Sequence, residues 1–168
     1  LAELSADTMK ALNSKLSTNW SRSNPVDIVG DASPEHYRDA ILTVAQDEGV
    51  DGMLVMLAPQ AMTRPLEVAQ VVIEISEQNL KPMLVCWMGE DQVAEGRAAM
   101  EKAGIPAFRR PEAAIELYYH ISTYYRNQKL LLQTPEPISR QAKTETEGAK
   151  MLIEAVLAER RKVLSEME

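Results

Sequence analysis

Three loops of the sequence carry the side chains that could bind a ligand. They are the stretch NPVDIVGDASPE at residues 24–35, the loop Pro59–Thr63 and the loop Trp87–Asp91, and each leads from a predicted strand into a predicted helix. In a parallel sheet such loops share one edge, where ligands gather and the free amides of helix N-termini attract anions. Ordinary α/β domains have similar loops, and none here has the glycine density of a Walker phosphate loop. The candidate residues for a phosphate- or substrate-binding loop are Asn24, Asp27, Gly30, Asp31, Ser33, Gln60, Ala61, Met62, Thr63 and Gly89.

No side chains have the spacing of a catalytic centre or a metal site, so we predict neither in this chain. His36 falls in the first turn of a predicted helix, where protonation is disfavoured, and His120 falls on a helix rich in tyrosine; we predict structural roles for both. Cys86 lies within an apolar strand and should behave as a small hydrophobic residue. The tyrosines of one long helix are predicted to pack along it, with their hydroxyls at the surface: Tyr118, Tyr119, Tyr124 and Tyr125.

Short apolar runs alternate with helix patterns over most of the chain. The predicted strands are VDIV at 26–29, GMLVMLA at 52–58, MLVCWM at 83–88 and IPAF at 105–108. Continuously apolar runs between loops are typical of parallel strands that are covered on both faces. Ser5 and Ser33 are predicted N-caps, and Pro34 suits the first position of a helix. The alternation predicts an α/β fold, with a parallel sheet, right-handed crossovers and helices on both faces.

The last third of the chain has a different pattern. The stretch RPEAAIELYYHISTYYRNQKLLLQ begins a long helix, TPEPIS is a linker with two prolines, and residues 142–168 have the spacing of an amphipathic helix. We therefore predict an α/β subdomain over residues 1–133, and a linker and helix over 134–168 that lead to the next domain of a longer protein. The chain begins with leucine instead of methionine, which adds to the expectation of a fragment.

Composition excludes several functional classes. The net charge is −7 and no basic stripe carries interleaved aromatic residues, so a nucleic-acid surface is not expected. No apolar run approaches the roughly 20 residues that a membrane helix needs. A single cysteine fits a reducing compartment, and we expect a cytoplasmic protein.

Several stretches, taken in order, carry a resemblance to a known family: ELSADTMKAL, NPVDIVGDASPEHYRDAI, VDGMLVMLAPQAMT, KPMLVCWMGE and AGIPAFRRPEAAI. They resemble the flavodoxin-like subdomain of the NDP-forming acyl-CoA synthetases that corresponds to the C-terminal domain of the succinyl-CoA synthetase β subunit. The stretch YYRNQKLL before a proline linker is most similar to the branch that is fused to a GNAT-type protein lysine acetyltransferase domain.

The resemblance implies a function for a longer parent protein. The reaction would convert acyl-CoA, NDP and phosphate to acid, CoA and NTP, with CoA and ATP or ADP with magnesium bound by the parent and no cofactor bound by this fragment alone. The implied partners are CoA-binding and ATP-grasp domains and, in the acetyltransferase branch, a GNAT-type domain. The fragment would be inactive by itself, because the family's phosphohistidine lies in another subdomain and neither His36 nor His120 stands in its motif. The alternative is a regulatory module of a lysine acetyltransferase, and a free-standing anion-binding protein remains a third possibility.

The family pattern also predicts what this chain lacks. The family's first strand would precede Leu1 and lie between the second and third strands, so its loss would expose strand edges. We therefore expect the isolated chain to associate with itself. Where relatives have a glycine-rich loop aimed at a phosphate, the residues here are Pro59–Thr63 without glycine, which limits close approach of the backbone to a phosphate.

Overall fold

The structure, a computed structural model, describes residues 1–133 and 146–165. The chain divides into two units, Leu1–Tyr125 and Arg126–Glu168. Helices alternate with strands through the first unit. The elements of the described residues are α1 (Ala6–Lys15), α2 (Pro34–Ala45), β1 (Met53–Leu57), α3 (Pro65–Ser76), β2 (Met83–Trp87), α4 (Asp91–Lys102), β3 (Ala107–Phe108), α5 (Pro111–Leu131) and α6 (Thr146–Ala158).

The strands form one parallel sheet in the order β1-β2-β3. Val55 of β1 lies opposite Val85 of β2, and Cys86 of β2 lies opposite Phe108 of β3. Each strand is joined to the next by a helix, as parallel pairing requires. The predicted α/β class and flavodoxin-like arrangement are confirmed.

The main core lies between one face of the sheet and the helices α3 and α4. Side chains alternate along a strand, so every second residue of β1 and β2 points to this face. The residues that pack there include Val55, Leu57, Val85 and Trp87 from the strands and Val68, Val72, Val93 and Met100 from the helices. A second, smaller cluster joins α1 to α2 through Leu12, Leu16, Trp20 and Ala40.

Local capping starts the first two helices as predicted. The Ser5 hydroxyl accepts a hydrogen bond from the backbone N–H of Thr8, and the Ser33 hydroxyl accepts one from that of His36. In return, the His36 imidazole Nδ1 accepts a hydrogen bond from the Ser33 backbone N–H. This reciprocal arrangement satisfies two amides that a helix start would otherwise leave open, and it gives His36 the structural role predicted for it.

Asp47 connects the end of α2 to the start of α1. Its carboxylate accepts hydrogen bonds from the backbone N–H groups of Ser5 at 2.8 Å and Gly49 at 2.9 Å. These bonds, the Ser5 contact first, hold the pKa of Asp47 well below its usual range. Because folding lowers this pKa, the stabilisation is fully present above the unfolded value of about 3.9 and declines as the pH falls below it.

The predicted strand at residues 26–29 is wrong: this segment belongs to no strand. Its backbone forms loop hydrogen bonds instead, from the Ser21 N–H to the Asp27 carbonyl and from the Val29 N–H to the Asp27 carboxylate. Val29 has a positive φ of 63°, which no strand residue adopts. Residues 1–4 are also outside any strand.

The predicted packing of the tyrosines on α5 is largely wrong as well. Tyr119, Tyr124 and Tyr125 are 60% exposed or more, and Tyr118 is 38% exposed. Ala114 is the residue of α5 that is buried. The last residues of α5, from Arg126 to Leu131, belong to the second unit.

The second unit contains α6, whose Met151, Leu152, Ile153 and Leu157 are exposed apolar residues. The predicted linker TPEPIS at 134–139 lies outside the described residues. Within the described ranges, no helix has both the length and the apolar character needed to cross a membrane.

Candidate functional site

The three loops predicted from the sequence meet at the C-terminal edge of the sheet. A Cβ atom built on Gly30 of the first loop would lie 2.0 Å from the Gln60 side-chain oxygen of the second loop. A Cβ atom built on Gly89 of the third loop would lie 3.1 Å from Cγ of Pro59. The second loop therefore contacts both of the others, and we refer to residues 24–33, 59–63 and 87–91 as the three-loop cluster.

Most polar side chains of the first loop hold the loop itself. The Asn24 amide donates to the Ala2 carbonyl at 2.8 Å, and the Asp27 carboxylate accepts from the Val29 N–H at 2.9 Å. Ser33 caps α2. These three candidates therefore have structural partners. Asp31 is also exposed, and its side chain forms no hydrogen bond or ion pair with another described residue.

The second loop is a tight turn that its own threonine closes. The Thr63 hydroxyl donates to the Gln60 carbonyl at 2.7 Å and also accepts from the Gln60 backbone N–H. That N–H is therefore engaged and does not point to a ligand. Ala61 and Met62 are exposed at the tip, and the side-chain amide of Gln60 lies against Gly30. This side-chain amide forms no hydrogen bond with another described residue and is available to a ligand.

Two arginine side chains bind the third loop, one from the interior of the protein and one at the surface. Gly89 has a φ of 106°, a conformation that favours glycine. The Arg97 guanidinium, 7% exposed, donates to the carbonyl oxygens of Trp87 and Gly89. At the surface, a single guanidinium nitrogen of Arg109, Nη1, donates to both carboxylate oxygens of Glu90, at 2.9 and 3.2 Å.

Sequence reasoning missed Arg97 and Arg109. A signal for Arg97 was present, because it lies four residues after Val93 and three before Met100, on the buried face of α4. Nothing in the sequence pairs Arg109 with Glu90, since the two residues are 19 positions apart.

The groove between the first turns of α3 and α4 is less suited to an anion. Neither helix has a side-chain cap, and their free amides would favour negative charge. The groove is nevertheless lined by three acidic residues, Glu67, Asp91 and Glu95, against one basic residue, Arg64, which pairs with Glu67. The three-loop cluster is therefore the better candidate for an anion-binding site.

Two further sequence predictions concern reactive and metal-binding groups. Cys86 is fully buried, and burial, followed by the charge of Glu112, raises the pKa of its thiol. A thiol in that state is a poor nucleophile, so the prediction of a packing role agrees with the structure. Among residues 1–133 and 146–165, no group of three or more His, Cys, Asp or Glu side chains could hold a metal ion.

A three-stranded parallel sheet with surrounding helices and loops gathered at its C-terminal edge defines a flavodoxin-like α/β module. No protein-family model matches the chain. Among characterised proteins, it is 31% identical over 157 residues to the ADP-forming acetate-CoA ligase I of Archaeoglobus fulgidus, a match to 94% of this chain and 22% of that protein. It is 30% identical over 131 residues to the alpha subunit of the ADP-forming acetate-CoA ligase II of Pyrococcus furiosus, covering 76% of this chain and 29% of the subunit.

A solved structure of an acetyl-coenzyme A synthetase also matches this chain. The dinucleotide-forming acetyl-coenzyme A synthetase 1 of Ca. Korarchaeum cryptofilum, in complex with phosphate and ADP, matches 80% of this chain with a TM-score of 0.66 and 26% identity. The match covers 30% of the synthetase chain. The present chain therefore matches a subdomain of the NDP-forming acyl-CoA synthetases, and it spans between a fifth and a third of the relatives named here. These matches give no support to the acetyltransferase branch.

Proposed function

We propose that this chain is a subdomain of an NDP-forming acyl-CoA synthetase and that it contributes the three-loop cluster to a phosphate or acyl site completed by other domains. The proposal rests on how much of each chain the alignment with the Archaeoglobus ligase covers. The alignment includes 94% of this chain but 22% of the ligase, as expected for one part of a larger enzyme. The contacts of Gly30 with Gln60 and of Gly89 with Pro59 support a shared role for the loops.

The proposed reaction converts acyl-CoA, NDP and phosphate to acid, CoA and NTP in the intact protein. The groups in this chain fit only part of that task. The Gln60 amide and nearby backbone groups can contact a phosphate or acyl oxygen, whereas the three carboxylates of the groove between α3 and α4 would repel the phosphates of a nucleotide. Other domains would hold CoA, the nucleotide and magnesium, and this chain alone would be inactive. Its single, buried cysteine also suits a protein of the cytoplasm.

The test is Gly30→Ala in the intact protein. The added methyl group would occupy the place of the Gln60 amide, and because that side chain is flexible, we expect it to move away while the fold persists. If the cluster contacts substrate, steady-state turnover should fall about tenfold or more. Gln60→Ala should have a similar effect, because it removes the same amide.

The matched control is Gly104→Ala. Gly104 lies after α4 at the opposite edge of the sheet, and a Cβ atom there would meet nothing within 4 Å. Its φ of 81° means that alanine costs stability, yet the three-loop cluster is untouched and turnover should be retained. Full activity in both Gly30→Ala and Gln60→Ala would contradict a role of the cluster in ligand binding. Ligase activity of this chain alone would contradict its dependence on other domains.

We also propose that the free edge of β1 causes the isolated chain to associate with itself. Within the described residues, β1 pairs along one edge only, and all five of its residues are apolar. An uncharged edge with unpaired backbone groups readily pairs with another strand. In the intact protein, another segment would cover this edge.

Light scattering at micromolar concentration tests the association. We expect a species larger than the monomer, and we expect Met56→Lys to shift it towards the monomer, because Met56 is 44% exposed on β1 and a lysine there opposes edge pairing. Glu101→Lys is the control, since it makes a charge change of +2 on the exposed surface of α4. A monomeric wild-type chain would contradict the proposal.

A further inference from the structure

Arg97 is a buried cation whose partners are carbonyl oxygens of a single loop. Its Nη1 donates to the Trp87 carbonyl at 3.2 Å and to the Gly89 carbonyl at 2.6 Å, and its Nη2 donates to the Glu90 carbonyl at 3.3 Å. No carboxylate of the described residues forms an ion pair with it. A buried guanidinium usually pairs with an acid, so this arrangement needs another explanation.

The loop requires these donors because its backbone is irregular. After Trp87 the chain leaves the sheet, passes through Gly89 with a φ of 106° and enters α4 without a side-chain cap. Carbonyl groups in such a segment have no hydrogen-bond partner in a neighbouring strand. Burying a carbonyl group without any hydrogen-bond donor costs free energy. From the helix that follows, the guanidinium supplies donors to the carbonyls of Trp87 and Gly89, and to the Glu90 carbonyl, which also accepts from the Val93 N–H.

Alternative anchors of the loop are weaker. The ion pair between Glu90 and Arg109 joins two side chains that are 73% and 64% exposed, and pairs of this kind contribute little. The contact of Gly89 with Pro59 is apolar and fixes no orientation by itself. Two further bonds hold the start of the loop, from the Met88 N–H to the Leu57 carbonyl and from the Trp87 indole to the Pro65 carbonyl. Arg97 is the buried side chain that binds the carbonyls of Gly89 and Glu90 beyond them.

We propose that Arg97 is the positioning residue of the three-loop cluster: its guanidinium fixes Gly89 against Pro59, so that the second and third loops keep one relative placement. The planar fork of arginine suits this task, because its donors diverge towards several carbonyls, whereas the single ammonium of a lysine cannot reproduce that geometry. The consequence for turnover rests on the proposed function; the consequence for loop geometry does not.

The first measurement is nuclear magnetic resonance on this chain. In Arg97→Met, which keeps an apolar stem, we expect the nuclear Overhauser effect between Gly89 and Pro59 to disappear and the Gly89 amide to become mobile, with an order parameter below about 0.6. Val55 and Val85 in the core should keep their signals. The matched control is Lys102→Met, which removes an exposed charge at the other end of the same helix and should leave the Gly89 contact intact.

Arg97→Lys keeps the positive charge. It provides the same test if the Arg97→Met variant fails to fold. We expect a shifted Gly89 signal and a weakened contact with Pro59, between the wild type and Arg97→Met. An unchanged Gly89 environment in a folded Arg97→Met or Arg97→Lys variant would overturn the proposal.

The second measurement is turnover of the intact protein. Arg97→Lys should lose about tenfold in kcat/KM, because the loop no longer holds one geometry. Loss of loop order without loss of turnover would uphold Arg97 as the anchor of the loop and would instead overturn the proposed role of the cluster in catalysis. The two proposals can therefore fail separately.

Discussion

Replacement of Trp87 by alanine is expected to lower the free energy of unfolding by about 4 kcal/mol. Trp87 ends β2, is 0% exposed and is the largest fully buried side chain of the described residues. Its removal leaves a cavity between the sheet and α3 and α4. Since domains of this size are stable by roughly 5–15 kcal/mol, the variant should unfold at a much lower urea concentration or fail to fold.

Two further variants separate the contributions of this side chain. Trp87→Phe keeps most of the packing but removes the indole N–H that donates to the Pro65 carbonyl at 3.2 Å, and we expect a loss of about 1–2 kcal/mol. Tyr125→Ala removes an aromatic ring that is 68% exposed and should change stability by less than about 0.5 kcal/mol. Urea denaturation gives all three values. A loss below about 1 kcal/mol in Trp87→Ala would show that the tryptophan does not fill the core in this way.

Replacement of Gly96 by valine should destabilise the chain by about 3 kcal/mol, because Gly96 lies where α4 crosses the start of α3. A Cβ atom there would be 3.0 Å from the Pro65 carbonyl oxygen, 3.2 Å from Nε1 of Trp87 and 3.4 Å from Cβ of Ala69. The closest of these atoms is backbone, which cannot turn aside as a side chain can. A branched residue would force the two helices apart and disturb the bond from Trp87 to Pro65.

Alanine at the same position tests the explanation. Its helix propensity exceeds that of glycine by about 1 kcal/mol, which opposes the cost of the close contact. Gly96→Ala should therefore be nearly neutral, while Gly96→Val is not. The control is Ala98→Val on the exposed side of the same helix. Equal urea midpoints for Gly96→Val and Ala98→Val would contradict close packing of α3 and α4 at this point.

These two residues connect the core to the candidate site. Trp87 begins the third loop, and Gly96 lies one position before Arg97 on the same helix. Through the Pro65 carbonyl, the tryptophan also fixes the first turn of α3, which follows the second loop. Packing below the C-terminal edge of the sheet thus determines where two of the three loops can lie.

Much of this architecture follows from short stretches of sequence. The strands at 53–57 and 83–87 were predictable because a short, continuously apolar run between loops is typical of a parallel strand that is buried on both faces. The starts of α1 and α2 were predictable because Ser5 and Ser33 satisfy amides only three residues away. The ordered set of motifs, from NPVDIVGDA to the LAPQA stretch, likewise indicates the synthetase family, in agreement with the match to the Archaeoglobus ligase.

Only the tertiary structure decided the properties that depend on distant partners. Residues 26–29 have the composition of a strand, yet they form a loop because strand pairing requires a neighbouring strand and none lies beside them in the described chain. The contact of Gly30 with Gln60 and the three carbonyls around Arg97 exist because the fold brings together groups that local sequence does not relate. Capping and hydrophobic burial act within a few residues and can be read from the chain, whereas the site depends on contacts that only the packed sheet and helices create.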